Sequence, residues 1–222
     1  MNFDAARMAM VESQIRPNGV RGTAILNAMA TLPRELFVPE GERALAYRDG
    51  PVLAAEAAGG APARYLLAPM TLSRMLQALA PSQADRALDV GGVTGYSAAI
   101  LAQTCGKVLA LEASESLANK TRECLKAAGV RGVEVYSGPL NEGLAKEQPF
   151  TLILVSGAAA QEPERLLGQL AVGGRLAVII RKGWFGHAYL FTKSAGAVSG
   201  RPVFDAGAEI LPGFEAVPQF AF

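Results

Sequence analysis

The chain has 222 residues, half of them hydrophobic and 18% charged, and its 21 basic and 20 acidic side chains leave a formal charge of +1. That length suits one α/β domain with a short extension, and the near-neutral balance gives no electrostatic footprint for nucleic acid or an anionic membrane surface. Asp4, Arg7 and Glu12 break up the start where a secretory signal would be apolar, no apolar run is long enough to span a bilayer, and two well-separated cysteines, Cys105 and Cys124, suit a reduced cytoplasmic protein better than a disulfide framework or a metal site.

In chain order, Asp4 is placed to cap a first helix running to about Ile15, which Pro17-Asn18-Gly19 ends. A second helix is expected over 23–31. Pro33 to Glu40 reads as an extended, proline-bounded stretch, and 40–47 as another short helix. Residues 50–64, centred on Ala57-Ala-Gly-Gly-Ala-Pro62, read as a mobile loop. After Tyr65-Leu66-Leu67, the spacing of Leu72, Met75, Leu76 and Leu79 predicts a helix over 71–80. From Arg86 onward strands (86–90, 107–112, 132–136, 150–156, 173–181) alternate with helices (96–104, 115–128, 140–146, 162–171). That βα alternation implies a parallel sheet covered on both faces, with ligands bound at the carboxyl ends of its strands near a switch point. The tail changes rhythm: Tyr189–Lys193 and Glu209–Leu211 suggest an antiparallel pair closing the sheet edge. Residues 1–80 then form an N-terminal helical cap and loop, packed on a core of 81–222 as one structural unit.

The chain is organised around Arg86-Ala-Leu-Asp89-Val-Gly91-Gly92-Val93-Thr94-Gly95-Tyr96. A buried strand, a glycine-rich turn and a helix N-terminus together make a nucleotide-cofactor pocket, because glycine lets backbone approach the ligand and the helix start offers free N–H groups. The spacing is neither the G-x-G-x-x-G of dinucleotide sites nor a P-loop with its Lys-Ser/Thr. An acidic residue, Asp89, just inside the strand and ahead of such glycines is typical of S-adenosylmethionine sites. Glu112, 17 positions after Gly95 at the end of the next strand, is placed to bind ribose hydroxyls; the alternative is a solvated charge at a strand end.

Five blocks carry a resemblance: Met10-Val-Glu-Ser-Gln-Ile-Arg16, Leu32-Pro-Arg-Glu-Leu-Phe-Val-Pro39, Ala46-Tyr47, Asp89 to Ala99, and Gln169-Leu-Ala-Val-Gly-Gly-Arg-Leu176. Over nearly its whole length the chain resembles the protein-L-isoaspartate O-methyltransferase family, within the class I S-adenosylmethionine-dependent methyltransferases. The resemblance implies a Rossmann-like, mostly parallel sheet with an antiparallel C-terminal edge and an N-terminal helical cap. It implies methyl transfer from S-adenosylmethionine to the α-carboxyl of L-isoaspartyl residues in damaged proteins, hence a protein or peptide acceptor. The cofactor residues it points to are Asp89, Gly91, Gly92, Val93, Gly95 and Glu112, with Gly138, Pro139 and Leu140 beside the adenine. The substrate loop falls on Tyr65, Leu66 and Leu67. No catalytic residue is assigned, because a carboxylate is already nucleophilic and needs only alignment in a dry site.

Five positions depart from the family pattern. Leu67 stands where the family has a serine and cannot hydrogen-bond a carboxylate; Tyr65 stands at a threonine position. Val93 replaces the central glycine of the loop, where a β-branched residue resists positive φ and is expected to point two methyls at the cofactor. Pro139 replaces an aspartate, and Thr151 another. Three readings therefore stay open: a carboxyl methyltransferase of this family, a methyltransferase with a different, less polar acceptor, and a scaffold that binds a partner without catalysis. Elsewhere, His187 reads as a surface residue with no carboxylate partner nearby, and Met8, Met10, Met70 and Met75 as packing. Arg181-Lys182-Gly-Trp184-Phe185 reads as solvated charge at a strand end, and Phe214, Phe220 and Phe222 as aromatic pins for the tail.

Overall fold

The computed structural model describes residues 1–183 and 185–216; Trp184, Phe220 and Phe222 lie outside them. Helix α1 (Phe3–Met10), continued by a π-helical turn over Val11–Ile15, and α2 (Thr23–Thr31) lead through 3₁₀ turns to a two-stranded antiparallel ribbon, β1 (Val52–Ala55) and β2 (Arg64–Leu66), and then α3 (Pro69–Leu79). The main sheet follows: β3 (Arg86–Val90), α4 (Tyr96–Thr104), β4 (Lys107–Glu112), α5 (Glu115–Ala127), β5 (Val133–Ser137), β6 (Phe150–Ala159), α6 (Glu164–Gly168), β7 (Leu170–Lys182), β8 (Phe185–Lys193) and β9 (Val198–Asp205). Its order is β5-β4-β3-β6-β7-β8-β9, parallel from β5 through β7 and antiparallel at β8 and β9. The expected sheet and its antiparallel C-terminal edge are both present. The chain winds outward from β3 through β4 and β5, then crosses to β6 on the other side. The switch point therefore lies between β3 and β6, and their carboxyl ends open a crevice.

Alternate residues of the central strands serve opposite faces. Ala87, Leu152, Leu154, Ala177 and Ile179 pack in one buried cluster with Leu72, Leu76 and Ile100 and with Met10, Ile25, Met29 and Phe37 of the N-terminal segment. Leu88, Val90, Ile153, Val155, Leu176 and Val178 pack with Leu166 and Leu170 on the other face. One continuous apolar cluster thus joins the cap to the sheet.

Several local expectations change. Asn2, not Asp4, caps α1: its side chain accepts from the Ala5 N–H at 3.1 Å, and Asp4 pairs with Arg7 at 2.9 Å. The stretch after Pro33 is not extended but makes a 3₁₀ turn, Arg34–Phe37. The 50–64 stretch is partly ordered as β1 and the start of β2. The expected helix over 140–146 is two 3₁₀ turns separated by Gly143 at φ +65°, where a Cβ would meet Gln169 at 2.5 Å. The one over 162–171 shrinks to Glu164–Gly168, because Leu170 is already paired with Phe150. At the tail, β8 and β9 pair directly across a tight turn in which Ser194 N–H donates to Ala197 O. Glu209–Leu211 is not the second strand of that pair; Ile210 makes a parallel bridge to Ala158 instead. No helix among the described residues is long and apolar enough to cross a membrane.

Candidate functional site

The loop after β3 takes three positive φ angles, Gly91 (+74°), Val93 (+69°) and Gly95 (+88°). It is tied on all sides. Gly91 N–H donates to Leu111 O at 2.9 Å, Thr94 Oγ1 donates to Phe37 O at 2.6 Å, and Thr121 Oγ1 donates to Val93 O at 3.1 Å. Val93 overturns the expectation made for it. It adopts the left-handed conformation despite its branch, and its side chain is 1% exposed inside the apolar cluster shared by Tyr96 and Leu125. The methyls face the core, so burial offsets the backbone strain.

Asp89 is buried beneath this loop. It accepts from Ser97 Oγ at 2.5 Å and Ser156 Oγ at 2.7 Å, and the two hydroxyls lie 3.1 Å apart. Burial raises its carboxyl to about 6 against these hydroxyls and the Ala98 N–H. A Cβ on Gly92 would stand 2.5 Å from Asp89 Oδ2, so glycine is what lets the loop close over the carboxylate. Both Asp89 oxygens are thus engaged within the protein.

Glu112 is the opposite case. It is fully buried at the end of β4, yet neither carboxylate oxygen completes a hydrogen bond. Burial, then the nearby Asp89, push its carboxyl up to about 8 against the pull of Arg64 and the Val93 N–H. It is not the solvated strand-end charge of the alternative reading. Gly138 N–H donates to Glu112 O at 2.9 Å, which fixes the turn where Pro139 is exposed and Leu140 is buried.

Tyr65, Leu66 and Leu67 edge a cavity of about 380 Å³ that also reaches Ser156, Gly157 and Arg181. Tyr65 is 40% exposed, whereas Leu66 and Leu67 are buried. Arg34, at 0% exposure, clamps this segment to the cap: Nε donates to Ala46 O at 2.7 Å and Nη2 to Leu67 O at 2.8 Å, with its guanidinium 4.6 Å from the Tyr96 ring centre. Arg7 Nε donates at 2.9 Å to the Tyr47 hydroxyl, which itself donates to Glu35. The Pro-Arg-Glu and Ala-Tyr blocks therefore hold the Tyr65–Leu67 side of the crevice in place. Arg181 is tied to Ala208 O at 3.0 Å rather than freely solvated. His187 does have a carboxylate partner, Asp205 at 2.8 Å across β8–β9, on the exposed edge. Thr151 proves structural, donating to Asp85 Oδ1 at 2.8 Å and accepting from Arg86 N–H at 2.9 Å.

Sequence reasoning missed Arg34, Arg64, Ser97, Ser156 and Leu211. Arg34 and Ser97 lie inside the family blocks, and an arginine opening the apolar strand β2 is a signal the sequence does carry. Nothing local marks Ser156 or Leu211.

A mostly parallel sheet with a glycine loop at its switch point and a buried carboxylate closing the next strand defines a class I methyltransferase-like α/β protein. The chain belongs to the protein-L-isoaspartate(D-aspartate) O-methyltransferase family, whose model matches residues 5–205. It is 36% identical over 194 residues to a protein-L-isoaspartate O-methyltransferase of Koribacter versatilis, covering 87% of this chain and 85% of that one. It is 40% identical over 182 residues to one of Aeropyrum pernix, covering 80% and 68%. Among solved structures, a protein-L-isoaspartate O-methyltransferase superposes with a TM-score of 0.80 at 22% identity, over 93% of this chain and 66% of that one. A Plasmodium falciparum relative in complex with S-adenosyl-L-homocysteine superposes with a TM-score of 0.75 at 21% identity, over 92% and 97%. These two likenesses concern the fold.

Proposed function

We propose that the protein is an S-adenosylmethionine-dependent carboxyl methyltransferase, acting on L-isoaspartyl carboxylates of protein or peptide acceptors. The observation that carries the reading is Glu112: a fully buried carboxylate with two unused acceptor oxygens, at the strand end where class I folds take the ribose. That donor–acceptor chemistry fits the cofactor. Glu112 would accept from the ribose hydroxyls, the Gly91–Gly95 loop would back the methionyl part, and Gly138 to Leu140 would flank the adenine. Asp89 acts one step away, holding the loop through Ser97 and Ser156. The cofactor supplies an electrophilic methyl on a sulfonium.

The chain's own contribution is positional. The acceptor carboxylate needs no general base, so no acid–base pair is required beside it. Leu66 and Leu67 keep water from the reacting face, and Arg34 fixes them. A second reading, a less polar acceptor than an isoaspartyl peptide, is favoured by one observation: Tyr65, Leu66 and Leu67 line the cavity with no side-chain donor at the family's serine position. Two free, buried cysteines support a cytoplasmic location. The test is transfer of labelled methyl to an isoaspartyl peptide against its aspartyl twin. Transfer to the isoaspartyl peptide alone supports the first reading; transfer only to a less polar carboxylate offered beside the two peptides supports the second; transfer to none of the three refutes both.

A further inference from the structure

Two glycines floor the crevice at the switch point, Gly91 after β3 and Gly157 in β6, and neither is bare. A Cβ on Gly157 would collide with Leu211, and one on Gly91 would stand 2.9 Å from Leu211 Cδ1, 3.1 Å from Arg64 Nη2 and 3.2 Å from Leu140 Cδ1. Leu211, 3% exposed, is therefore seated between the two strand ends. A short strap, residues 209–214, carries it there. Ala158 N–H donates to Glu209 O, Leu211 N–H donates to Ala158 O, and Ala160 N–H donates to Phe214 O, each at 2.9 Å. Phe214, 5% exposed, anchors the far end.

From the other side the β1–β2 ribbon sends in Arg64, 6% exposed, whose Nη2 donates to Gly91 O at 2.9 Å. Its Nη1 has no hydrogen-bond partner, and the Glu112 carboxyl, whose oxygens likewise have none, lies close enough to act on it. A buried cation with a spare donor beside a buried carboxylate with spare acceptors is unfavourable unless each is satisfied in turn. The backbone of Gly91 is where a cofactor must lie close, and the volume above it is filled by this chain's own side chains.

We propose that the 209–214 strap, with Leu211 as its anchor, and Arg64 of the β1–β2 ribbon form an intramolecular plug over the cofactor crevice, so that S-adenosylmethionine binds only after both withdraw. This rests on the crevice being the cofactor site. Plug and ligand compete for one volume, so apparent affinity falls in proportion to the fraction of molecules that are open. The strap is held by a few main-chain bonds at a sheet end and two buried side chains, Leu211 and Phe214, whereas the loop beneath is tied at Phe37, Leu111 and Thr121. Ligand hydroxyls would satisfy Glu112 in the open form, and Arg64 would regain water.

The experiment is calorimetric titration of the full chain with S-adenosylhomocysteine, using wild type, Leu211→Ala and Arg64→Gln. Hydrogen exchange of the Leu211 and Ala160 amides, which bond across the seam between strap and sheet, is followed with and without ligand. Each variant should bind at least tenfold more tightly than wild type, and ligand should speed exchange at both amides of the wild type. The exchange readout needs no substitution, so it stands even if Leu211→Ala folds poorly. Wild-type binding with unchanged exchange, or variants that bind no better, overturns the plug while leaving the cofactor site intact. Weaker binding by Arg64→Gln would likewise overturn it, and would show Arg64 holding the ligand rather than covering its site. No binding by wild type or any variant overturns the cofactor reading itself, and the plug falls with it.

Discussion

Replacing Glu112 by Gln tests the centre of the crevice through stability, with no ligand needed. The unfolded carboxyl titrates near 4.5, whereas burial and then the neighbouring Asp89 hold the folded one at about 8. The folded chain therefore keeps a proton that the unfolded chain releases across that range. Because the folded value is the higher one, the stability is present in full below about pH 4.5 and is lost as pH rises through about 8. The loss is about 1.4 kcal/mol per pH unit, hence about 3 kcal/mol by pH 7. Glutamine keeps the shape and does not titrate, and Asp89 is common to both proteins, so its own titration drops out of their difference to first order. Urea unfolding of both proteins at pH 5, 6, 7 and 8 should give similar stabilities at pH 5 and a Glu112→Gln advantage of about 3 kcal/mol at pH 7. A difference that does not widen with pH would refute the claim that this carboxylate is buried unsatisfied. The same variant should bind S-adenosylhomocysteine at least tenfold more weakly, since it removes an ionisable acceptor from the proposed ribose site. A protein more stable without its functional group is what a site built for a ligand predicts.

Val93→Gly relieves about 1–2 kcal/mol of left-handed strain but forfeits a buried side chain worth about 1.5–3 kcal/mol and loosens the unfolded chain. Urea melts should show a net loss of about 1–2 kcal/mol, with S-adenosylhomocysteine affinity unchanged by calorimetry; a tenfold gain in affinity would mean that the methyls do face the ligand. Asp85 is held at about 2 because, although burial raises it, the Arg175 fork (2.8–2.9 Å), Thr151 and the Ser82 N–H outweigh burial. Its folded value is the lower one, so its stabilisation is present above pH 3.8 and is lost as pH falls through about 2. Asp85→Asn should cost about 2–3 kcal/mol at pH 7, and the gap to wild type should close in acid unfolding curves. Arg34→Met strands the carbonyls of Ala46 and Leu67 and should cost about 2–5 kcal/mol by thermal melting; an unchanged melt would dissolve the clamp.

The strand–loop–helix from Arg86 to Thr104, the position of Glu112 at a strand end and the parallel order of the core are all legible in the amino-acid sequence. Each of these is written in short-range periodicity and turn chemistry, which neighbouring residues enforce on one another. It also carried the family blocks, without saying what Arg34 or Tyr47 do. The rest depends on contacts between segments far apart in the chain. The branch of Val93 argued against the positive φ it adopts, and which way its methyls point depends on Thr121 and Leu125 of α5, the third element after the loop. Asp89 became a supported carboxylate only when Ser156, 67 residues away, came within 2.7 Å, whereas Glu112 was left without a partner. Arg64 and Leu211 reach the same glycine from opposite ends of the chain. Who fills a crevice at a switch point is settled by which distant segments fold over it, and no local pattern in the sequence records that competition for volume.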